Sequence, residues 1–374
     1  MNTALLSAEL FTRMALDARS DCKRPSEAPN FDRRSAIVEK LGQRFTERVD
    51  PVGVPEVSQF DREGFLAASH NASRPVVFRG FAAQTAARWS PQMLRERVGD
   101  AMVTVMRMIE TSESNGWDEG HEHVRISVAE LLDRIDVERL YLNNSTELFV
   151  EHPDLMADLE LERLLRFTTP GGTWDELLTT NFFVGSKNVR SAIHTAYGGN
   201  FFINLVGRKR WRFISPKYSA YLHPVGARPF DYATSALGSL YAAEQEGRDD
   251  AIFFRLPVEE VVLEPGDMLY SAPWWWHEVD NCSAINIATA VRHMQPPGAL
   301  SPSLTNSLPL ALASRFPKSR FLTTIHYLKH RMGGEASLRE RVNRAVWERV
   351  QSSLDQRQAQ PETPQWEAQP SSAK

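Results

Sequence analysis

The sequence predicts a mainly β protein with flanking helices: a β-sandwich or jelly roll with helical segments at both ends. Three observations lead there. From Thr179 to Val291 the chain is a dense run of short apolar segments separated by turn residues, the close spacing of sandwich strands. Two stretches of that run, Ser191–Phe213 and Glu264–Asp280, each place one histidine, His194 and His277, at a strand end, and only a closed β architecture brings such distant residues together. After Met294 the β pattern stops and helical periodicity returns.

In order, residues 1–50 read as helical and only loosely tied to the core, with Ile37, Val38, Leu41 and Phe45 giving an amphipathic pattern. Pro51–Val57 reads as a linker. Asp61–His70 is a short helix, and Pro75–Phe81 is the first convincing strand, with a turn signal at Gly80. Ser90-Pro91 suits an N-cap followed by a first helical residue. Met102–Met108 and Leu140–Leu142 are strands, Val128–Ile135 is a helix, and 147–167 makes short helices over one side of the sheet. The dense run then assigns strands to 179–185, 190–194, 200–206, 209–214, 252–255, 260–264, 267–271, 277–280 and 284–291. Gly207-Arg208 and Pro265-Gly266 are turns. The organisation is therefore an N-terminal extension (1–50), a β domain (51–295), a helical region (296–355) and a polar, proline-rich tail (356–374). Leu338, Val342, Val346 and Val350 form an apolar stripe that must face the β domain or a second subunit.

Composition, 42% apolar and 24% charged, is that of a soluble globular protein, and a net charge of −4 gives no reason to expect a nucleic-acid partner. No apolar run reaches a membrane span. Glu9 interrupts the opening apolar stretch, which argues against a signal peptide. Two cysteines, Cys22 and Cys282, make no disulfide framework. The expected compartment is the cytoplasm.

His194 and Ala196 share one strand face. In a two-histidine, one-carboxylate iron site the position two after the histidine supplies the anionic ligand. Here it is Ala196, which cannot ligate. Several motifs now carry a resemblance. They are P-V-V-F-R-G-F near residue 75, W-S-P-x-x-L-R-E-R-V-G-D at 89–100, H-x-A-x-x-x-N-F-F-x-x-x-x-G-R-K-R-W from His194, and L-E-P-G-D-M-L-Y-x-x-P-W-W-W-H-E-V up to Val279. In order and spacing they resemble the JmjC/cupin-like family of iron(II)- and 2-oxoglutarate-dependent oxygenases, which fold as a double-stranded β-helix. The resemblance covers roughly residues 70–294, and the last helices resemble a C-terminal extension used in that family for homodimerisation.

The resemblance implies His194 and His277 as metal ligands. It implies Lys209 as the partner of the distal carboxylate of 2-oxoglutarate, with Ser191 bonded to that same carboxylate and Asn200 touching the cosubstrate. Trp276 and Arg292 are candidates for the substrate pocket, with Asn286 beside the last strand. No catalytic residue is expected beyond the metal site. Three readings of Ala196 stand side by side. An exogenous anion fills the gap, as chloride does in 2-oxoglutarate-dependent halogenases. Alternatively, two histidines with 2-oxoglutarate or a substitute side chain (Glu278, His223 or Tyr197) suffice for oxidation. Or the site is dead and the fold serves binding. Oxidation of an unactivated C–H bond ranks first, on a small-molecule, carrier-tethered or peptide substrate. His293 and His326 are read as incidental, and Trp274 and Trp275 as core or pocket wall.

Overall fold

A computed structural model describes residues 2–18, 25–108, 121–159, 163–164, 167, 179–187, 189–196, 198–226, 233–248, 251–293, 307–310 and 312–313. Most of the expected C-terminal helical region, the tail, Tyr197 and His326 lie outside the described residues.

In chain order the strands are β1 (Val52–Gly53), β2 (Val76–Phe78), β3 (Met102–Met108), β4 (His121–Ser127), β5 (Leu140–Ser145), β6 (Thr179–Ser186), β7 (His194–Thr195), β8 (Gly199–Val206), β9 (Lys209–Ile214), β10 (Pro224–Gly226), β11 (Ala233–Ser235), β12 (Val258–Leu263), β13 (Met268–Ser271), β14 (Trp276–Asn281) and β15 (Ile285–His293). They form two sheets. One has seven strands in the order β1-β12-β9-β14-β7-β11-β10, the other eight in the order β2-β13-β8-β15-β6-β5-β3-β4. Apart from the parallel β1–β12 pair, all pairings between these strands are antiparallel. From β6 to β9, and again from β12 to β15, successive strands alternate between the two sheets, as in a jelly roll.

Period-2 alternation decides what each strand buries. On β9, Trp211 and Phe213 enter the large core between the sheets with Phe202, Phe183 and Leu263, while Ile214 joins a second cluster on the other face with Trp274, Trp276, Val258 and Leu222. Behind the eight-stranded sheet, Phe65 packs edge-on to Tyr270 at 4.9 Å, which ties the helix Arg62–Ala68 to the barrel. Ser90 caps its helix as expected, its Oγ accepting from Met93 N at 3.0 Å, and Asp61 Oδ1 accepts in the same way from Gly64 N at 2.7 Å.

Several segments differ from expectation. Residues 252–255 form a 3-10 helix, not a strand, and the strand begins at Val258. Phe253 and Phe254 are both buried in the second cluster, and a short apolar run of this kind has no period that separates helix from strand. The expected strand 190–194 is reduced to β7, preceded by a single bridge from Arg190 to Asp280. The Pro51–Val57 linker pairs as β1 and, through Glu56, with Val77. β4, β10 and β11 gave no clear pattern in the sequence.

The N-terminal segment is also packed tightly. Its helices α1 (Thr3–Asp17) and α2 (Phe31–Gly42) bury Leu10, Ile37, Val38 and Leu41 against Ala220. Asp17 and Arg34 form a buried ion pair at 2.9 Å, and Arg34 Nη1 donates to the Pro224 carbonyl at 2.8 Å.

The β8–β9 hairpin turns at Gly207, whose φ is +75° and whose added Cβ would collide with the Ile285 carbonyl. Gly207→Ala is expected to cost about 1–3 kcal/mol. Chemical denaturation would show this as a lower midpoint with an unchanged slope.

Candidate functional site

β7 and β14 lie side by side, and the residue pair that aligns them is His194 and His277. Their ring centroids are 4.2 Å apart. His194 Nδ1 is 2.9 Å from the Ala192 carbonyl and His277 Nδ1 is 2.9 Å from the Trp275 carbonyl. A carbonyl only accepts, so each Nδ1 carries the hydrogen and each Nε2 keeps its lone pair. Metal-binding histidines are oriented in this way. Burial pulls the His194 pKa down to about 4 and holds His277 well below its ordinary value, with His194 adding to the effect. Both rings are therefore neutral at pH 7, as ligation needs. Trp211 stacks on His277 at 5.5 Å and 26°, which fixes the ring from the side.

Ala196 follows on the same strand direction. Its carbonyl accepts from Trp274 N at 2.6 Å, and Trp274 has a φ of +66°. A bulky residue in that region is held there by its surroundings, here by burial in the second cluster. The short strand end is thus anchored, but it carries no ligating atom. Among the described residues no group of three or more His, Cys, Asp and Glu could hold a metal ion. Of the substitutes suggested by sequence, Glu278 and His223 do not reach the pair. Glu278 adjoins His277 and so points to the opposite face, where Ser239 Oγ donates to Oε1 and Tyr241 N to Oε2. Burial there raises its pKa to about 7. His223 stacks on Phe31 of α2 at 4.8 Å.

Lys209 opens β9 and lies across from Asn281 on β14, inside the barrel with Trp211 and Phe213. Its Nζ donates to Asn281 Oδ1, and Asn281 Nδ2 donates to the Ser186 carbonyl at 3.0 Å. Burial drags the Lys209 pKa down to about 7. A buried amine whose hydrogen-bond partner is a neutral amide has the chemistry to meet an anion.

Ser191 Oγ accepts from Val279 N at 3.0 Å and Ser191 N donates to the Val279 carbonyl at 2.9 Å. Val279 lies midway between His277 and Asn281, so Ser191 stands between the histidine end and the lysine end. Asn200 pairs across strands with Arg292, and its Oδ1 is buried without a hydrogen-bond partner. Arg292 donates to Asn144 Oδ1 at 2.7 Å, and its charge reaches both histidines. Asn286, on β15 opposite Gly185, donates to the Ser283 carbonyl at 2.6 Å.

Trp276 does not line this space. Alternation along β14 turns it away from His277 into the second cluster, where its Nε1 donates to Ser219 Oγ at 2.8 Å. The aromatic wall on the inner face comes from Trp211, which the sequence offered only as the end of the R-K-R-W run. Tyr141 and Asn281 were missed as well. A Cβ on Gly185 would lie 2.5 Å from Asn281 Nδ2 and 2.9 Å from the Tyr141 ring, so this glycine makes room for both side chains at the lysine end. The only sequence signal for Tyr141 was its place in a short apolar strand.

The residues thus fit a divalent metal at the two Nε2 atoms and a dicarboxylate that reaches Lys209. Among known proteins, three relatives show the range of similarity. Human (Homo sapiens) HSPB1-associated protein 1 is 25% identical over 142 residues, 38% of this chain and 28% of that protein. Lysine-specific demethylase 8 of Danio rerio is 27% identical over 251 residues, 63% of this chain and 55% of that protein. JmjC domain-containing protein D of Dictyostelium discoideum is 26% identical over 147 residues, 37% and 32% respectively. The alignments thus span between about a quarter and about half of these relatives. The cupin-like domain family matches residues 62–296, the segment that carries every site residue named above, and the chain belongs to that family.

Proposed function

We propose that the chain is an iron(II)- and 2-oxoglutarate-dependent oxygenase that oxidises an unactivated C–H bond, with His194 and His277 as its protein metal ligands. The observation that carries this reading is the aligned histidine pair, both Nδ1 atoms tied to backbone carbonyls. The relatives named as a demethylase and as a JmjC-domain protein support the class. Bound iron and 2-oxoglutarate would supply the oxidising power that an unactivated C–H bond demands.

The chain's own residues bind and orient. His194 and His277 present two neutral nitrogen donors. Lys209, oriented by Asn281, would meet the distal carboxylate, with Tyr141 and Ser191 beside it and Asn200 facing the cosubstrate. Trp211 and Phe202 exclude water along the inner face. Substrate enters from the side of Arg292, whose guanidinium suits an anionic group. A halide beside Ala196 is the second reading, favoured by the absence of a side-chain ligand there.

Anaerobic titration with iron(II) and 2-oxoglutarate, with and without chloride, tests both. A weak visible charge-transfer band that ignores chloride supports the oxygenase, and a band that shifts with chloride supports the halide reading. No band from folded protein overturns both. Ala196→Asp is expected to raise iron(II) affinity by at least about tenfold and to abolish any chloride shift.

A further inference from the structure

Of the two histidines, His277 is the better anchored. It lies on β14, and all of Trp276–Asn281 pairs with β9. His194 lies on β7, which is two residues long and meets β14 at a single residue pair. Its other neighbour is β11, where Thr234 pairs with His194 and Ala233 with Thr195. β11 has three residues and pairs in turn with β10, the last strand of the sheet, which also has three. Strands this short have too few ladder bonds to hold their own position and take it from whatever flanks them.

What flanks β10 is the N-terminal segment. Arg34 of α2 donates from Nη1 to the Pro224 carbonyl at 2.8 Å, and its Nε meets Asp17 Oδ2, at the end of α1, at 2.9 Å. Asp17 Oδ1 is held in turn by Asn30, whose N and Nδ2 donate to it at 3.0 and 2.8 Å. Phe31 of α2 packs on the ring of His223 at 4.8 Å, and His223 has a φ of +45°, a left-handed value held in place by its surroundings. From there two bonds lead to β7. Ser235, fully buried at the end of β11, donates from Oγ to the Leu222 carbonyl at 2.6 Å and from N to the Ile193 carbonyl at 2.9 Å. One residue therefore joins the segment that enters β10 to the residue that precedes His194.

We infer that Arg34 is a positioning residue for His194, acting through Pro224, Ser235 and Ile193. The inference rests on the reading of His194 as an iron(II) ligand, and it extends the metal site to a helix outside the segment 62–296 that the family match covers. A buried ion pair loses much of its attraction to desolvation and so adds little net stability; its use here is to fix one geometry for β10. A ligand displaced by more than about 0.5 Å leaves the productive geometry. Loss of a partner that orients a ligand costs about 10–100-fold in metal affinity. His277, whose strand is paired along its whole length, has no need of such support.

The test is anaerobic iron(II) titration of the full chain as wild type, Arg34→Gln and Ser235→Ala, with amide hydrogen exchange of the metal-free proteins read beside it. Both variants should bind iron(II) at least about tenfold more weakly. Exchange across 189–196 should quicken, while exchange across 276–281 stays as in the wild type. Ser235→Ala removes one hydroxyl group and serves if Arg34→Gln fails to fold. Gly207→Ala is the control. It strains the β8–β9 turn without touching β10 or β11, so iron(II) affinity and exchange across 189–196 should be unchanged. No iron(II) binding by the wild type overturns the oxygenase reading and this inference with it. If the wild type binds, the inference alone is overturned by a folded variant whose affinity falls by less than about tenfold, by unchanged exchange across 189–196, or by an equal loss of affinity in Gly207→Ala.

Discussion

His277→Ala is expected to remove iron(II) binding, with affinity falling by more than about 100-fold and the charge-transfer band disappearing. Losing groups that merely orient a ligand costs about 10–100-fold, and here one of two protein ligands goes. The fold should survive, since the change removes one hydrogen bond to the Trp275 carbonyl and ring contacts with Trp211, Phe213 and His194, about 2–4 kcal/mol together. The neighbouring Glu278→Gln is the control. Its side chain lies on the opposite face, so metal binding should be unaffected. Its effect should appear in stability instead. A carboxyl whose pKa is raised by burial to about 7 binds its proton more tightly folded than unfolded, so wild-type stability falls as pH rises from its ordinary value of 4.5 through 7. Glu278→Gln should flatten that slope. Anaerobic metal titration beside thermal melts at several pH values measures both. Intact metal binding in His277→Ala would remove the histidine pair as the site.

Lys209→Met should have two large effects of opposite sign. Binding of 2-oxoglutarate should weaken at least about 100-fold, because a dicarboxylate would lose the cation that meets its buried end. At the same time the apo protein should become more stable. Burial lowers the Lys209 pKa from its ordinary 10.5 to about 7. Between those two values the unfolded chain holds the proton and the folded chain does not, so wild-type stability climbs with pH across that window, and below it the whole cost of burying the charge is felt. Methionine removes the charge and nearly preserves the volume. Leaving Asn281 Oδ1 unmet offsets part of the gain, and the net increase near pH 6 should be about 1–3 kcal/mol. Denaturant melts near pH 6 and pH 10, with calorimetric titration of 2-oxoglutarate, read both effects. A destabilised variant that still binds 2-oxoglutarate would show that Lys209 is an ordinary structural lysine.

What the sequence made legible was the part set by spacing and pattern. The run of strand segments, the turns at Gly207 and Gly266, and the two histidines at strand ends all follow from local residues. The failures have local causes too. Residues 252–255 carry apolar side chains without a period. β10 and β11 are three-residue strands held by their neighbours in the sheet, not by propensity. Trp276 was assigned to the pocket because it adjoins His277, yet on a strand adjacency means opposite faces. Tyr141 and Asn281 reach the lysine end only through cross-strand register, β5 on Gly185 and β14 on Lys209, which a single chain does not display.

The clasp formed by Asp17, Arg34 and the Pro224 carbonyl bears on how a minimal fragment of this protein should be cut. The family match begins at residue 62, which invites truncation there. Such a cut would strip α1 and α2 from the last strand of the seven-stranded sheet and remove β1 from its other end. Both margins of that sheet would then offer free backbone donors and acceptors to the next molecule, the situation that leads to strand-to-strand aggregation. A truncated product that precipitates would therefore be diagnosed by its bare sheet margins, and a fragment meant for crystallisation should keep the chain from Asn2 onward.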